Sequence, residues 1–235
     1  MKKFKLTSEF IVDISGVKLF RIKALIEFGN VKAGDLGGYI EKEENLSHMG
    51  NAWVSGNAQV SGDAQVFGDA RVFGNARVFV DARVFGNARV FVDARVFGNA
   101  RVFGDARVFG NARVFGNAQV SGDAQVFGDA RVFGNAWVFG DARVSGNAQV
   151  SGDAQVFGDA RVSGDKDYAY AHGFGSCNRT TTFFRLKDGD VGVRCGCFYG
   201  TLAQFRDNVC ETHGETKKAQ EYLMLADLMD FRFKN

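Results

Sequence analysis

The residue types that could do catalytic or metal chemistry are few in this chain. They comprise three histidines and four cysteines: His48, His172, His213, Cys177, Cys195, Cys197 and Cys210. Structural zinc sites usually take their ligands from Cys-x₂₋₄-Cys pairs, whereas one residue separates Cys195 from Cys197. We therefore expect small buried thiols, and neither a metal centre nor a cofactor site.

A six-residue repeat fills the middle of the chain. From Val54 to Val162 a valine falls at every sixth position, which makes 19 hexads of the pattern Ala-(Arg/Gln/Trp)-Val-(Phe/Ser)-(Gly/Val)-(Asn/Asp). Alanine and valine alternate with outward residues as in a strand, and the Gly-Asn or Gly-Asp pair suits a turn. The repeat predicts a mainly β protein built as a parallel β-solenoid, with strands of about four residues.

This pattern resembles the hexapeptide repeat of the left-handed β-helix superfamily of trimeric acyltransferases. The resemblance implies a left-handed β-helix with three hexads in each triangular coil, hence about six coils, and it makes a trimer the favoured assembly. The transferases of the superfamily use a histidine base on or near a coil. Because residues 51–165 contain no histidine, and a base must reach its proton, we expect no enzymatic activity. A hexapeptide-type acyltransferase is the second alternative.

When the repeat is folded on the coil of that superfamily, its phenylalanines form three outward rows beside rows of arginine. Apolar surface of this extent favours an oligomer interface, although the rows could also be self-contained ladders that stiffen each face. The interface is predicted to comprise Phe73, Phe79, Phe91, Phe97, Phe109, Phe115, Phe127 and Phe133. The third row is interrupted, and reads Phe67, Phe85, Phe103, Ser121, Phe139 and Phe157.

Charge and hydropathy limit the classes of partner that the chain is expected to bind. The formal net charge is +2, and residues 51–165 contain eleven arginines and eleven aspartates, with no lysine or glutamate. A surface that tracks phosphates normally has a clear basic excess, so nucleic acid is not an expected partner. No apolar run is long enough to span a membrane. We expect no signal peptide, because the N-terminal residues contain neither an apolar segment nor a small-residue cleavage site. We expect a cytoplasmic protein.

Two flanks complete the predicted domain organisation, which is an N-terminal β cap at 1–50, the β-helix at 51–165 and a C-terminal α+β module at 166–235. The module is predicted to be ββαα. Its hairpin joins residues 180–186 to a return strand at 191–198, and a capping box of Thr201 and Gln204 opens the first helix, which Gly214 ends. A second amphipathic helix is expected from about Glu215 to Met229.

Sequence similarity also bears on what the module does. The strings GDLGGYIEKEENLS and GSCNRTTTFF…CGCFYGTLAQF…THG are similar to segments of uncharacterised bacterial, phage and prophage repeat proteins. We interpret the chain as an oligomeric scaffold that presents its C-terminal module to a protein partner. The alternative is a phage protein that binds a small anionic ligand such as a nucleotide signal, through backbone N–H groups and a cation. The loop that would bind this ligand comprises Ser176, Asn178, Arg179 and Thr180. These residues could equally form an ordinary connecting loop.

Overall fold

The repeat folds into three parallel sheets, and each sheet is one face of a solenoid. The computed structural model describes residues 1–175 and 179–234. Face 1 contains the strands β4 Trp53–Val54, β7 Arg71–Val72, β10 Arg89–Val90, β13 Arg107–Val108, β16 Gln125–Val126, β19 Arg143–Val144 and β22 Arg161–Val162. Face 2 contains β5 Gln59–Val60, β8 Arg77–Phe79, β11 Arg95–Phe97, β14 Arg113–Val114, β17 Arg131–Val132 and β20 Gln149–Val150. Face 3 contains β6 Gln65–Val66, β9 Arg83–Val84, β12 Arg101–Val102, β15 Gln119–Val120, β18 Trp137–Val138 and β21 Gln155–Val156.

Neighbouring strands within a face are one coil apart in sequence. Val90 pairs with Val72 on one side and with Val108 on the other, so one coil is 18 residues long. The alanines and valines of the repeat form the core, with exposures of 0–1%. The predicted inward positions are therefore confirmed. The strands are two or three residues long instead of about four, because the chain turns directly after the outward phenylalanine.

Corners separate the faces, and each corner is a left-handed glycine followed by Asn or Asp, as in Gly86 with φ 67°. Corner 1, between faces 1 and 2, contains Asn57, Asn75, Asp93, Asn111, Asp129 and Asn147. Corner 2, between faces 2 and 3, contains Asp63, Asp81, Asn99, Asn117, Asn135 and Asp153. Corner 3, between faces 3 and 1, contains Asn51, Asp69, Asn87, Asp105, Asp123, Asp141 and Asp159. At two corners a valine replaces the glycine, and Val80 and Val92 both have φ 65°.

The solenoid has about seven coils, one more than the sequence predicted. The additional coil begins in the N-terminal flank, where Ile40 pairs with Val60 and Leu46 forms a bridge to Val66. Both pairs are offset by 20 residues instead of 18. These two extra residues disturb the six-residue period, which is why the sequence pattern does not reveal the first coil.

The N-terminal flank extends face 2 by three strands. Strands β1 (Phe4–Val12) and β2 (Lys18–Ala24) are antiparallel, β2 is antiparallel to β3 (Leu36–Ile40), and β3 pairs in parallel with the first strand of face 2. A short 3-10 helix, Glu43–Asn45, follows. The flank buries Phe4, Ile22 and Val31 against the end of the solenoid core.

The C-terminal module has four strands and two helices, whereas the sequence predicted two strands. After the solenoid come a 3-10 helix, an antiparallel sheet and two α-helices. Their bounds are Asp165–Asp167, β23 Tyr168–Phe174, β24 Arg179–Arg185, β25 Val191–Cys195, β26 Phe198–Thr201, α1 Leu202–His213 and α2 Lys217–Phe233. A turn at Gly196 and Cys197 divides the predicted return strand into β25 and β26. The Thr201–Gln204 capping box is confirmed.

The two α-helices belong to the C-terminal module, and their lengths are 12 and 17 residues. In the part of the chain that the structure describes, no helix is both long enough and apolar enough to cross a bilayer.

Candidate functional site

The loop predicted to bind an anion is only partly described. Ser176 and Asn178 lie outside the described residues. Arg179 begins β24 with an exposed side chain, and the Thr180 hydroxyl lies 3.0 Å from Nδ1 of His172. The N–H of Gly175 donates to the Glu221 carboxylate at 3.0 Å. That N–H is already occupied by an acidic group, so this contact gives no support to an anion site, which stays a prediction.

The cysteines lie at separate places in the C-terminal module. Cys195 ends β25 and accepts a hydrogen bond from the Thr181 hydroxyl at 3.1 Å, while Cys197 lies in the following turn and is exposed. The expectation that both thiols lie in one strand is therefore wrong. Cys210 is exposed on α1, so the expectation of small buried thiols is wrong for Cys197 and Cys210. Cys177 is outside the described residues. Within 1–175 and 179–234, no group of three His, Cys, Asp or Glu residues is placed to hold a metal ion.

The histidines support different parts of the structure. His48 stacks on Phe4 with ring centroids 4.3 Å apart, and its Nδ1 accepts the backbone N–H of Lys3 at 3.2 Å. His213 stacks on Tyr222 at 5.8 Å in the C-terminal module. Since the two rings belong to elements at opposite ends of the solenoid, they do not form a common site with each other.

The phenylalanine rows form as the sequence predicted. Successive rings within the uninterrupted runs have centroids 4.8–5.0 Å apart and planes within 8° of parallel. Each ring covers the face of the next, so the side chains are half-buried and mainly the ring edges meet solvent. The π-faces of these rings are therefore available only where a row ends or is interrupted.

Most arginines beside these rows are exposed. No ion pair within 4 Å joins an arginine of the repeat to a corner aspartate among the described residues. Corner amides instead donate along the corner, as from Asn117 to Asn135 at 3.0 Å and from Asn135 to Asp153 at 2.9 Å. The guanidinium groups are thus open to contacts from outside the chain.

Four depressions in the surface lie at ends of the phenylalanine rows. At each of these places a serine occupies the coil next to the terminal ring, as shown by the backbone hydrogen bonds of Ser47, Ser55, Ser61 and Phe133. The depressions measure about 600, 350, 420 and 430 Å³, and they contain respectively Ser47 with Phe67, Ser61 with Phe79, Ser55 with Phe73, and Ser151 with Phe133. At these four row ends, therefore, a recess lies beside the terminal ring. The sequence pattern indicates that these serines are polar ends of the rows, but it does not indicate the recesses.

Comparison with protein families agrees with the fold. Five segments match the family model described as the YdcK beta solenoid repeat, at residues 64–79, 94–108, 106–122, 124–140 and 136–152. No curated protein matches the chain. Together with the three parallel sheets, the family match identifies a repeat protein of the β-solenoid type.

Proposed function

We propose that this chain is a non-enzymatic, oligomeric scaffold that assembles through its uninterrupted phenylalanine rows and presents its C-terminal module to a partner. We also infer that it is related to the hexapeptide left-handed β-helix superfamily, which favours a trimer, and that it acts in a phage or prophage setting. The observation that carries the proposal is the pair of unbroken rows on faces 1 and 2, namely Phe73, Phe91, Phe109 and Phe127, and Phe79, Phe97, Phe115 and Phe133.

The surface composition supports an interface between protein chains. Interface cores are enriched in aromatic residues and arginine and depleted in lysine and glutamate. Residues 51–165 contain eleven arginines, with neither lysine nor glutamate, and their phenylalanines lie half-buried in continuous rows. A surface that remained in water would need no such selection against lysine and glutamate.

Corner 1 is the part of the solenoid best suited to lie near a three-fold axis. A three-fold arrangement brings one corner of each copy, together with its flanking faces, toward the axis. Faces 1 and 2 flank corner 1. Like charges from three copies would converge there, and corner 1 contains two aspartates, whereas corner 3 contains five. Val92 also lies on corner 1, with 45% of its surface exposed, and would add apolar contact.

The C-terminal module is the part suited to recognition. Neighbouring coils of the solenoid have nearly the same surface, so a partner that bound there would find several equivalent positions. The module breaks this repetition with exposed aromatic side chains, including Tyr170, Phe174 and Tyr199. Irregular segments on a rigid scaffold commonly carry binding residues, and a trimer would present three copies for avidity.

Paired substitutions test the interface. Phe91→Ser with Phe109→Ser disrupts face 1, and Phe97→Ser with Phe115→Ser disrupts face 2. Serine occurs naturally at this position of the repeat, so the coil itself should form. We expect at least one pair to dissociate the oligomer, as measured by light scattering. Phe85→Ser with Phe103→Ser on face 3 is the matched control and should leave the mass unchanged. The proposal would be contradicted if all three double variants had the same oligomeric mass.

A further inference from the structure

The phenylalanine row of face 3 lacks one ring in its middle. Phe103 lies in the coil below Ser121 and Phe139 lies in the coil above, as shown by the hydrogen bonds from Phe103 N to Val120 O and from Ser121 N to Val138 O. Below the gap, Phe85 and Phe103 stack with centroids 4.9 Å apart, and above it the centroids of Phe139 and Phe157 are 4.3 Å apart. Among the described residues, no aromatic ring below Ser121 contacts an aromatic ring above it.

The gap has the dimensions of one aromatic ring. Since rings one coil apart are 4.8–5.0 Å apart in the intact rows, Phe103 and Phe139 are separated by two coils, or about 10 Å. A ring placed midway would lie about 5 Å from each neighbour, which is the spacing of the intact rows. The ring of Phe139 is tilted by 33° from that of Phe157, whereas the rings of the intact rows are nearly parallel. The serine side chain fills little of this space, so an upper face of Phe103 and a lower face of Phe139 are left uncovered.

The walls of the gap favour a positive charge. Both π-faces are the negative regions of their ring quadrupoles, and cations bind such faces. Phe103 and Phe139 bound the gap from below and above, and Trp137, which is 44% exposed, packs edge-on against Phe139 at 6.3 Å in the coil above the gap.

The formal charges around the gap cancel. Asp123 lies on corner 3 in the same coil as Ser121. The coils directly below and above contribute two further aspartates and three arginines, namely Asp105, Asp141, Arg101, Arg107 and Arg143. The preference for a cation therefore rests on the π-faces and not on a net negative charge.

We propose that the gap at Ser121 is a binding site for a single planar aromatic ring that carries a positive charge. The ring lies between Phe103 and Phe139 and completes the row, while the π-faces select the cation. The site lies on face 3, away from the rows assigned to the oligomer interface. This inference goes beyond the scaffold role and does not rest on it.

Three small probes with one ring and different charges test the proposal. They are 1-methylnicotinamide, which is cationic, nicotinamide, which is neutral, and nicotinate, which is anionic. We expect saturable binding to the full chain in ligand-observed saturation-transfer NMR, in the order cation, neutral, anion. A cation–π contact at an exposed site should make the cation bind about threefold to fivefold more tightly than the neutral probe.

Substitutions at the site separate specific from general binding. Ser121→Phe supplies the missing ring from the chain itself, so it should abolish saturable binding and raise the melting temperature, while Ser121→Ala should bind as the parent does. Phe103→Ser removes one wall and should also abolish binding.

Each outcome either supports the proposed site or overturns it. The proposal is overturned if the parent shows no saturable binding of any probe. It is also overturned if folded Ser121→Phe binds as well as the parent, or if nicotinate binds as tightly as the cation. Loss of binding in both Ser121→Phe and Phe103→Ser, with an unchanged oligomeric mass, would support the site independently of the scaffold role.

Discussion

The ammonium nitrogen of Lys3 lies 2.8 Å from the carbonyl oxygen of Ala52, although Lys3 is only 1% exposed. This contact follows from the polarity of the solenoid. The N–H groups of each coil donate to carbonyls of the next coil, as from Trp53 N to Ala70 O at 3.0 Å. Carbonyls at the N-terminal end therefore lack backbone donors, and N–H groups at the C-terminal end lack backbone acceptors.

The N-terminal flank supplies hydrogen-bond donors to the free carbonyls, and the C-terminal flank supplies acceptors to the free N–H groups. At the N-terminal end the donors are Lys3 and the Asn45 amide, which contacts the carbonyls of Gly62 and Ala64 at 3.0 and 2.9 Å. At the C-terminal end the acceptors are the side chains of Asp165, Thr182 and Asp167, which receive the N–H groups of Gln149, Gln155 and Ser163 respectively. Because these contacts occupy the donors and acceptors at both ends, we expect them to oppose end-to-end pairing of solenoids.

Asn45→Asp tests the donor end. The substitution keeps the size of the side chain but places carboxylate oxygens against two carbonyl oxygens in a fully buried position. We expect a loss of at least about 2 kcal/mol in the free energy of unfolding at pH 7, measured by urea denaturation. The loss should shrink in acid, because the protonated carboxyl group of the variant regains one donor. A variant as stable as the parent at pH 7 would show that this contact is not needed.

Asp167→Asn tests the acceptor end. Burial opposes ionisation of Asp167, but hydrogen bonds from Ser163 and Gly164 outweigh it and hold the pKa of this carboxyl below its usual value of 3.8. Its stabilising contribution is therefore present above pH 3.8 and is lost as the pH falls through the lower folded-state pKa. We expect the parent to be more stable by about 1–3 kcal/mol at pH 7. The free energies of unfolding of the parent and of Asp167→Asn should converge as the pH falls below the folded-state pKa of Asp167. A constant difference between the two proteins down to about pH 2 would contradict this explanation.

Lys3 should give the solenoid a distinctive alkaline response. Burial lowers the pKa of the Lys3 ammonium from 10.5 to about 8, and Asp69 opposes part of this shift. Between these values the unfolded chain keeps a proton that the folded chain has released, so the contribution of Lys3 to stability rises with pH. The stability of the parent relative to Lys3→Met should increase from pH 8 to pH 10.5. Lys5→Met, at an exposed lysine of β1, is the matched control variant.

Two corner valines should weaken the solenoid slightly. Val80 and Val92 have the left-handed backbone that β-branched residues rarely adopt. At the equivalent Gly86 corner, a Cβ would approach the backbone of Gly104 to 3.0 Å. Relief of about 1–2 kcal/mol of strain per site should exceed the entropic cost of glycine, about 0.5–1 kcal/mol. We expect Val80→Gly with Val92→Gly to melt above the parent. A lower melting temperature would mean that both valines make contacts in the assembly.

The repeat was predictable because its environment is nearly the same in every coil. Ala94 and Val96 meet the same neighbours as Ala112 and Val114, so one period describes all the inward positions. The first coil was not predictable, because two extra residues before Val54 remove the period there while Ile40 and Leu46 still enter the core. The first coil is determined by its pairing with the next coil, and not by the local sequence pattern.

The candidate sites were predictable only in part. The gap at Ser121 is visible in the sequence as a serine between phenylalanines, but its meaning depends on the stacking distance, which only the fold supplies. The strand Tyr168–Phe174 was missed because its alternation of Tyr, Ala and His is weak, and pairing with β24 stabilises it. Tyr168 and Phe184 of this module also cover the last coil. Removal of the module should therefore expose the solenoid core.

The mass of the intact protein in solution tests the central claim most directly. The chain has a mass of 25.6 kDa. Assembly through the rows of faces 1 and 2 into the favoured trimer predicts a single species of about 77 kDa by light scattering, at concentrations well above micromolar. A monodisperse species of 25.6 kDa at the highest attainable concentration would contradict it, and would show that the phenylalanine rows serve only to stiffen their own solenoid.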